Sequence, residues 1–424
     1  MKSLRRWILP CLTALALLST ACSGATGAGA QPKPSSAQST QASPATSANT
    51  GTSAEPLKIG LIAEYTGPFA GTNLRLYDAL EWLVQRDGGQ IAGRPVQFIR
   101  AEDQAKVDVF QSEARRLIEA QKVDLFVGPI NSGVASSAQE WMNQQPTVWI
   151  IPEVGTVHYY PGDNAVRSVA TSWHMALPDL GRYFATNFGI RKAVTIGLDY
   201  AAGRDFVDGE VKNVFPAAGI EVVRQFWVPV GNADFGPVIS QIPSGDDVLV
   251  TGALWSADAG RFMQQATDFG LKSKVKLIAF PAAFANDDVG LDTLGAAAEG
   301  MYVYNEMPPP DYPNAEYQEF VRAFKQQFKV NPGYATKGYL SYLQIKQAIE
   351  SLNGRTDDRP ALVRALRQPL NTPFGSVTFD ACGNAVRTLY LKQIKMVDGE
   401  DQTSLVKEFP NASIACPQPA EWKG

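Results

Sequence analysis

The chain has 424 residues, of which 45% are hydrophobic and 19% are charged, and its formal net charge is −4 at pH 7. This composition is that of a globular protein, and it lacks the basic surface with which proteins attract phosphate backbones, so DNA and RNA are excluded as partners. The length exceeds what a single hydrophobic core usually serves, which predicts two lobes.

Residues 1–21 predict an export signal. Basic residues precede an apolar run at 7–18, which is too short to span a bilayer and contains Pro10. The small residues 19–21 before Cys22 resemble the lipobox of bacterial lipoproteins, and this resemblance implies cleavage before Cys22 and acylation of its thiol. The alternative is an ordinary signal peptide cleaved after Ala21, with no role for Cys22.

For residues 22–56 the sequence predicts a lipidated cysteine followed by a disordered linker. From 23 to 54 the chain is almost entirely Ser, Thr, Ala, Gly, Gln and Pro, which cannot bury a core. A flexible coil of about 32 residues has a root-mean-square reach on the order of 30 Å. We therefore predict a domain that is tethered outside the cytoplasm. The alternative is a disordered terminus without a function, which would have the same composition.

Cys382 and Cys416 remain once the signal is removed and Cys22 is acylated. An even pair of cysteines in an oxidising compartment favours a disulfide. Closing that loop would stabilise the C-terminal segment by roughly 4 kcal/mol in the chain-entropy model. Two free buried thiols are the alternative.

The folded part begins with alternating strands and helices. A first series is predicted as strands 57–63, 95–100, 123–127 and 147–151 with helices 73–87, 108–121 and one from about 133 to 145. Gly88 and Gly89 stop the first helix. Because these strands are apolar almost throughout, we expect a sheet that is covered on both faces.

A second series follows residue 167 in a similar order. It is predicted as strands 193–198, 221–228, 247–251 and 275–280 with helices 175–188, one after Arg204 and 257–269, which Gly270 stops. The remaining elements are strands 301–304, 377–379 and 388–397 and helices 316–328 and 334–352. The charged run 355–359 predicts a solvated turn. Two βα lobes in tandem are therefore expected, in the α/β class.

Seven motifs, in order from about Leu57 to about Leu352, resemble the leucine/isoleucine/valine-binding protein family of ABC importers. They are LKIGLI from 57, TGPFAG from 66, DGG from 87, IAGRPV from 91, VGPINSG from 127, DYAAGR from 199 and ATDFGL from 266.

The resemblance implies an α/β fold of two Rossmann-like lobes, the type I periplasmic binding protein fold, joined by a three-segment hinge. Residues 57–165 plus 308–352 would form the first ligand-binding lobe, and 166–307 plus 353–424 the second. It also implies a small-molecule ligand in the cleft and ABC permease subunits in the membrane as partners, with no catalysis and no cofactor. We expect a monomer.

Ser132 and Gly133 are candidates for binding a carboxylate. They join a buried strand to a helix, so backbone N–H groups and the Ser132 hydroxyl face outward at the positive end of a helix dipole. The resemblance implies that Ser132 binds the ligand carboxylate. A helix cap at Ser132 with a turn at Gly133 is the alternative, and both can hold together. Gly155 and Thr156 resemble the family's second carboxylate clamp, with an ordinary loop as the alternative.

Tyr200 and Trp255 are expected to cover the ligand from the opposing lobe. Both follow the C-terminal end of a strand, where open α/β sheets bind ligands, although single aromatic residues are more often core packing. Phe69 is a further candidate. Weaker candidates of the same kind are Tyr159, Tyr160, Trp173, Phe280 and Phe284.

One departure from the family affects the ligand. Members that bind an α-amino acid place a carboxylate for its ammonium just after the strand that here ends at Pro281, and this chain has Ala282 and Ala283 instead. Because a buried ammonium without a partner costs several kcal/mol, another acid substitutes or the ligand lacks the ammonium. Glu153 is the nearest alternative, and Asp287 with Asp288 a further one. Apolar amino acids, amides and aromatic or aliphatic carboxylates are candidate ligands.

Enzyme chemistry has little support in the sequence. His158 and His174, the only histidines, do not have metal-ligand spacing, which argues against a zinc site. Nucleophile elbows and phosphate-binding glycine loops are absent from the sequence. The prediction is a lipid-anchored, extracytoplasmic substrate-binding protein of a branched-chain-amino-acid-type ABC importer. The alternative is a sensory binding module that feeds a membrane receptor kinase.

Overall fold

Two separate β-sheets organise the part of the chain that the computed structural model describes, which comprises residues 55–67, 69–153, 162–167, 178–281, 295–380, 384–397 and 400–412. The predicted export signal, Cys22, the linker up to residue 54, Cys382 and Cys416 lie outside the described residues. None of the helices in the described ranges combines the length and the apolar character that a membrane crossing requires.

The first sheet has the strand order β2-β3-β1-β4-β5-β6. Its strands are β1 (Leu57–Ala63), β2 (Gln90–Ile91), β3 (Arg94–Glu102), β4 (Leu125–Val127), β5 (Val148–Ile151) and β6 (Ala165–Arg167). All neighbours pair in parallel except β2, which is antiparallel to β3. Between them lie α1 (Ala70–Arg86), α2 (Val107–Arg116), a π-helical turn (Leu117–Gln121) and α3 (Ser132–Asn143).

Both faces of this sheet are buried, as the apolar strands predict. Leu61 faces a core that includes α1, whereas its neighbour Ile62 faces a second core with Phe126 and Trp149. Adjacent residues of a strand point to opposite faces, so a strand covered on both sides needs apolar residues throughout. After α1, Gly88 and Gly89 adopt positive φ angles and end the helix where the sequence indicates.

The second sheet has the order β12-β13-β14-β11-β10-β9-β7-β8, and β15 pairs with β14. Its parallel strands are β7 (Lys192–Leu198), β8 (Glu221–Val228), β9 (Gly245–Ala253), β10 (Val275–Phe280) and β11 (Tyr302–Asn305). Its antiparallel strands are β12 (Leu370–Thr372), β13 (Gly375–Phe379), β14 (Ala385–Val397) and β15 (Glu400–Ala412).

The helices that accompany the second sheet are α4 (Pro178–Asn187), α5 (Ala201–Gly209), α6 (Phe215–Ala218), α7 (Gly236–Ile239) and α8 (Ser256–Asp268). A π-helical turn (Glu210–Val214) joins α5 to α6, and short 3₁₀ turns lie at Leu271–Ser273 and Gly295–Ala297. After β11 the chain returns to the first lobe through α9 (Ala315–Phe328), α10 (Ala335–Ser351) and α11 (Arg359–Leu366).

The chain therefore passes between the sheets three times: after β6, after β11 and after α11. This arrangement confirms the predicted α/β class with two lobes. Helix α11 packs differently from the predicted division, which assigned residues 353–424 to the second lobe. Leu362 and Leu366 belong to the core formed by α1 and α10, so α11 lies with the first lobe. Its N-terminus is capped by the Asp358 side chain, which accepts a hydrogen bond from the Ala361 N–H.

Candidate functional site

The carboxyl ends of strands from both sheets border one cavity of about 90 Å³. Its position is where open parallel sheets bind ligands. The described residues that line the cavity are Glu64, Phe69, Thr72, Asn73, Ile130, Asn131, Ser132, Glu153, Tyr200, Ala202, Trp255, Pro281, Tyr334 and Lys337.

The first-lobe side of the cavity is held together by Tyr77 of α1. Its buried hydroxyl lies 3.0 Å from the carbonyl oxygen of Ile62 and 2.7 Å from that of Val127, so one donor is shared between the ends of β1 and β4. Gly128 follows Val127 at a φ of 123°, and a Cβ there would lie 2.2 Å from the Ile62 carbonyl oxygen. Only glycine allows this close approach of the two strand ends.

Helix α3 begins at the cavity, and its cap is Asn131. The Asn131 side chain accepts hydrogen bonds from the N–H groups of Gly133, at 2.9 Å, and Val134, at 3.2 Å. The alternative prediction placed the helix cap at Ser132, one residue after the observed cap at Asn131. Ser132 is the first helical residue, is 6% exposed and lines the cavity, whereas Gly133 uses its N–H within the cap.

Three aromatic side chains line the cavity, two from the second lobe and one from the first. Tyr200 and Trp255 each occupy the extended residue that precedes a helix, α5 and α8 respectively. The Trp255 indole N–H donates to the Tyr200 hydroxyl at 2.7 Å, and their rings meet edge to face. Phe69 of the first lobe approaches Tyr200 with ring centroids 6.0 Å apart. The two lobes thus contribute to one continuous aromatic surface.

A buried ion-pair cluster lies at the edge of the cavity. Lys337, in the first turn of α10, pairs with the carboxylates of Glu153 and Glu306, the latter at 2.7 Å. Glu306 also lies 3.5 Å from Arg387 of β14. Because Glu306 follows β11, where the chain crosses between the lobes, this cluster joins the cleft to the hinge.

Burial disfavours the charged forms of the side chains in this cluster. It lowers the pKa of Lys337 well below its ordinary value, and the nearby Arg387 cation acts in the same direction. Burial likewise raises the pKa of Glu306, against the opposing effect of Arg387. The neighbouring Lys392 has its pKa lowered to about 7 by burial, and its ammonium donates to Asn305 Oδ1 and to the Met307 carbonyl, both at 2.7 Å.

Glu64 and Asn73 place polar atoms in the same cavity. Glu64 follows β1 and is 3% exposed, and Asn73 lies in the first turn of α1 and is 2% exposed. The Asn73 amide donates to the Glu64 carbonyl oxygen at 2.8 Å. Burial raises the pKa of the Glu64 carboxyl above its ordinary value, with a smaller opposing effect of the Phe69 N–H.

Five of the candidate residues from the sequence line the cavity: Phe69, Ser132, Glu153, Tyr200 and Trp255. Their binding roles stay predictions. The second clamp, Gly155 with Thr156, lies outside the described residues. So do Tyr159, Tyr160, Trp173, Phe284, Ala282, Ala283, Asp287, Asp288, His158 and His174. Phe280, by contrast, is buried in the second-lobe core, with its ring centroid 5.3 Å from that of Phe262.

Comparison with known proteins identifies the family. A family model described as periplasmic binding protein matches residues 56–401. The chain belongs to the periplasmic binding protein family. Its relatives include the Leu/Ile/Val-binding protein homolog 6 of Brucella abortus (strain 2308), 23% identical over 369 residues that cover 84% of this chain and 91% of that protein.

Solved structures of periplasmic binding proteins share the fold. One is a solute-binding protein of an ABC transporter from Rhodopseudomonas palustris BisB5 in complex with 3,4-dihydroxybenzoic acid. It is 27% identical, with a TM-score of 0.75 over 85% of this chain and 99% of that chain. Another is an ABC transporter substrate-binding protein from Sphaerobacter thermophilus, 24% identical with a TM-score of 0.74 over 84% and 99% of the two chains.

The cavity of this periplasmic binding protein contains polar residues that were not predicted from the sequence, among them Glu64, Asn73 and Lys337. Glu64 follows a buried strand, so the rule that located Tyr200 and Trp255 would have located it as well. Lys337 has no such signal, because its two carboxylate partners are distant in sequence. Within the described ranges, no group of three or more histidine, cysteine, aspartate or glutamate side chains is placed to hold a metal ion.

Proposed function

We propose that this protein is the substrate-binding subunit of an ABC importer and that it captures a small carboxylic acid with an apolar or aromatic body between its lobes. The observation that carries the proposal is the composition of one cavity. The start of α3 with Ser132 borders it from the first lobe, and the Tyr200–Trp255 pair borders it from the second.

A carboxylate is the favoured polar group because of the helix terminus. The first turn of a helix carries partial positive charge, which stabilises an anion at this position. Asn131 engages two N–H groups of that turn, so the Ser132 hydroxyl is the side chain we assign to the ligand carboxylate. Gly155 and Thr156 are assigned to the same carboxylate from the neighbouring loop.

The aromatic surface favours an apolar or aromatic body. Phe69, Tyr200 and Trp255 cover a ring or a branched chain from both lobes, and such contacts form fully when the lobes are closed. The 27% identical relative from Rhodopseudomonas palustris, whose structure contains 3,4-dihydroxybenzoic acid, supports this class. The relatives named as Leu/Ile/Val-binding protein homologs support apolar amino acids.

The transport role extends this proposal. A lipid on Cys22 and a linker to residue 56 would hold the folded part near the membrane, where it delivers the ligand to the permease subunits as a monomer. No chemistry is performed on the ligand. Cys382 and Cys416 would close the C-terminal segment with a disulfide.

The test is thermal unfolding of the purified, extensively dialysed protein against apolar amino acids, aliphatic amides and aromatic acids. A ligand at about one hundred times its Kd adds roughly 2.7 kcal/mol to the free energy of unfolding, which raises the Tm by several degrees. Stabilisation by carboxylic acids is expected. Stabilisation only by uncharged amides would contradict the carboxylate assignment.

A pair of variants sharpens the test. Ser132→Ala removes the cavity hydroxyl and is expected to weaken an acid ligand by about 1 to 2 kcal/mol, measured by calorimetry. Ser137→Ala removes an exposed hydroxyl on the same helix and should leave the affinity unchanged. Equal affinities of the two variants would remove Ser132 from the site.

A further inference from the structure

We infer that Glu64 and Asn73 form an acceptor pair that receives a hydrogen-bond-donating group of the ligand, either an ammonium or a hydroxyl. This inference rests on the proposed function, because it concerns the same cavity and the same acid ligand. It adds a further candidate to the two positions that the sequence offered for the ammonium. Asp287 and Asp288 lie outside the described residues, and Glu153 already pairs with Lys337.

The chain folds around the Glu64 side chain. The Phe69 N–H lies 3.4 Å from Glu64 Oε1, and Gly67 adopts a φ of 125° where a Cβ would lie 2.0 Å from the same oxygen. No ion pair between described residues joins Glu64 to a cation. An ionised carboxylate offers about four acceptor positions, so the one long hydrogen bond that it accepts from a described residue leaves most of its capacity unused.

The alternative is a purely structural role, in which Glu64 only supports the start of α1. A single bond of 3.4 Å is weak for that purpose, and a buried acid with no further partner among the described residues is costly. The nearby Glu102 shows the contrast, because its carboxylate accepts from the Tyr65 N–H at 3.0 Å and the Gln104 N–H at 2.7 Å, away from the cavity lining. Unlike Glu102, Glu64 borders the cavity.

Asn73 supplies the second acceptor independently. Its amide nitrogen donates to the Glu64 carbonyl, which fixes the orientation of the amide group. Its Oδ1 is buried and has no hydrogen-bond partner among the described residues. Because Asn73 also lines the cavity, a donor on the ligand would satisfy both this oxygen and the Glu64 carboxylate.

The experiment compares matched acids that differ in one donor, by calorimetry on the full-length protein. The pairs are leucine with 4-methylpentanoate, phenylalanine with 3-phenylpropanoate, and 4-hydroxybenzoate with benzoate. In at least one pair the donor-bearing acid is expected to bind about tenfold to a hundredfold more tightly, the effect of one charge-assisted hydrogen bond.

Two substitutions at Glu64 distinguish the donors. An ammonium needs the negative charge, so both Glu64→Gln and Glu64→Met should abolish its preference. A hydroxyl needs only an acceptor, so Glu64→Gln should retain part of the preference and Glu64→Met should abolish it. Glu210→Gln, a buried acid in the second lobe outside the cavity lining, should leave the preference unchanged. If the Glu64 variants fail to fold, Asn73→Ala should still lower the preference severalfold.

Two results would overturn the inference. Equal binding of both members of every pair to the native protein would mean that no donor is recognised. A Glu64 variant that weakens both members equally would show a structural role only. Either result leaves the proposed function intact if the acids bind. Failure of every acid to bind would defeat the proposed function and this inference together.

Discussion

Glu210→Gln is expected to stabilise the protein in alkaline buffer and to remove one part of its pH dependence. Glu210 follows α5, is 4% exposed, and accepts from the Tyr304 hydroxyl at 2.6 Å and the Thr251 hydroxyl at 3.3 Å through Oε1. Its Oε2 has no hydrogen-bond partner among the described residues. Burial raises the pKa of Glu210 from 4.5 to about 8, against the smaller effect of these two hydroxyl donors.

The direction of the effect follows from proton binding. Between pH 4.5 and 8 the folded protein keeps the Glu210 proton, whereas the unfolded chain has released it. The free energy of unfolding therefore falls as the pH rises through this window. Raising the pKa from 4.5 to about 8 corresponds to about 4 to 5 kcal/mol of stability that is lost across this window. Glutamine is neutral throughout this window, so the variant does not lose this part of its free energy of unfolding.

The assay is urea unfolding of the native protein and Glu210→Gln at pH 5, 6, 7 and 8. Lys392 contributes with the opposite sign, because its lowered pKa makes stability rise with pH above about 7, but it is present in both proteins. The difference between the two curves isolates Glu210 and should grow by several kcal/mol from pH 5 to pH 8. Parallel curves would refute the reasoning.

Three other substitutions test the site and its support. Gly128→Ala should lower the free energy of unfolding by about 3 kcal/mol in urea, because its Cβ would meet the Ile62 carbonyl at positive φ; Gly93→Ala, with nothing within 4 Å, should lose only about 1 to 2 kcal/mol. Lys337→Met leaves two carboxylates without their shared cation and should cost about 3 to 5 kcal/mol in the same assay, and an unchanged midpoint would contradict the ion-pair assignment. Trp255→Phe keeps a ring but removes the N–H donor, and calorimetry should detect about 1 kcal/mol weaker ligand binding, whereas full affinity would show that this hydrogen bond is dispensable.

The parallel strands of the two sheets were largely predictable from the sequence. β1, β8 and β10 have the predicted bounds, because buried parallel strands are marked by apolar runs. β15 was missed, since its alternation of polar and apolar residues is interrupted by Pro410. α11 was also missed, because its eight residues follow a charged run and begin with a proline in the first turn. Their contacts with distant parts of the chain stabilise both elements.

The residues of the candidate site were predictable only where they directly follow a strand. Ser132, Tyr200 and Trp255 follow strands, and the structure brings all three to one cavity. The partner of Glu153 was not predictable, because Lys337 reaches it from a helix far along the chain. Glu153, which the sequence offers as a partner for a ligand ammonium, is therefore already paired in the fold, and Glu64 was not among the predicted acids.

Among the described strands, β15 pairs with β14 alone and is an edge strand of the second sheet, and its composition has a consequence for behaviour at high concentration. An edge strand offers unpaired backbone groups to a neighbouring molecule, and charges or proline on that edge discourage such pairing. Here Lys407 and Pro410 are exposed, and proline has no N–H to donate. Molecules crowded together on one surface should therefore remain separate and not join sheet to sheet.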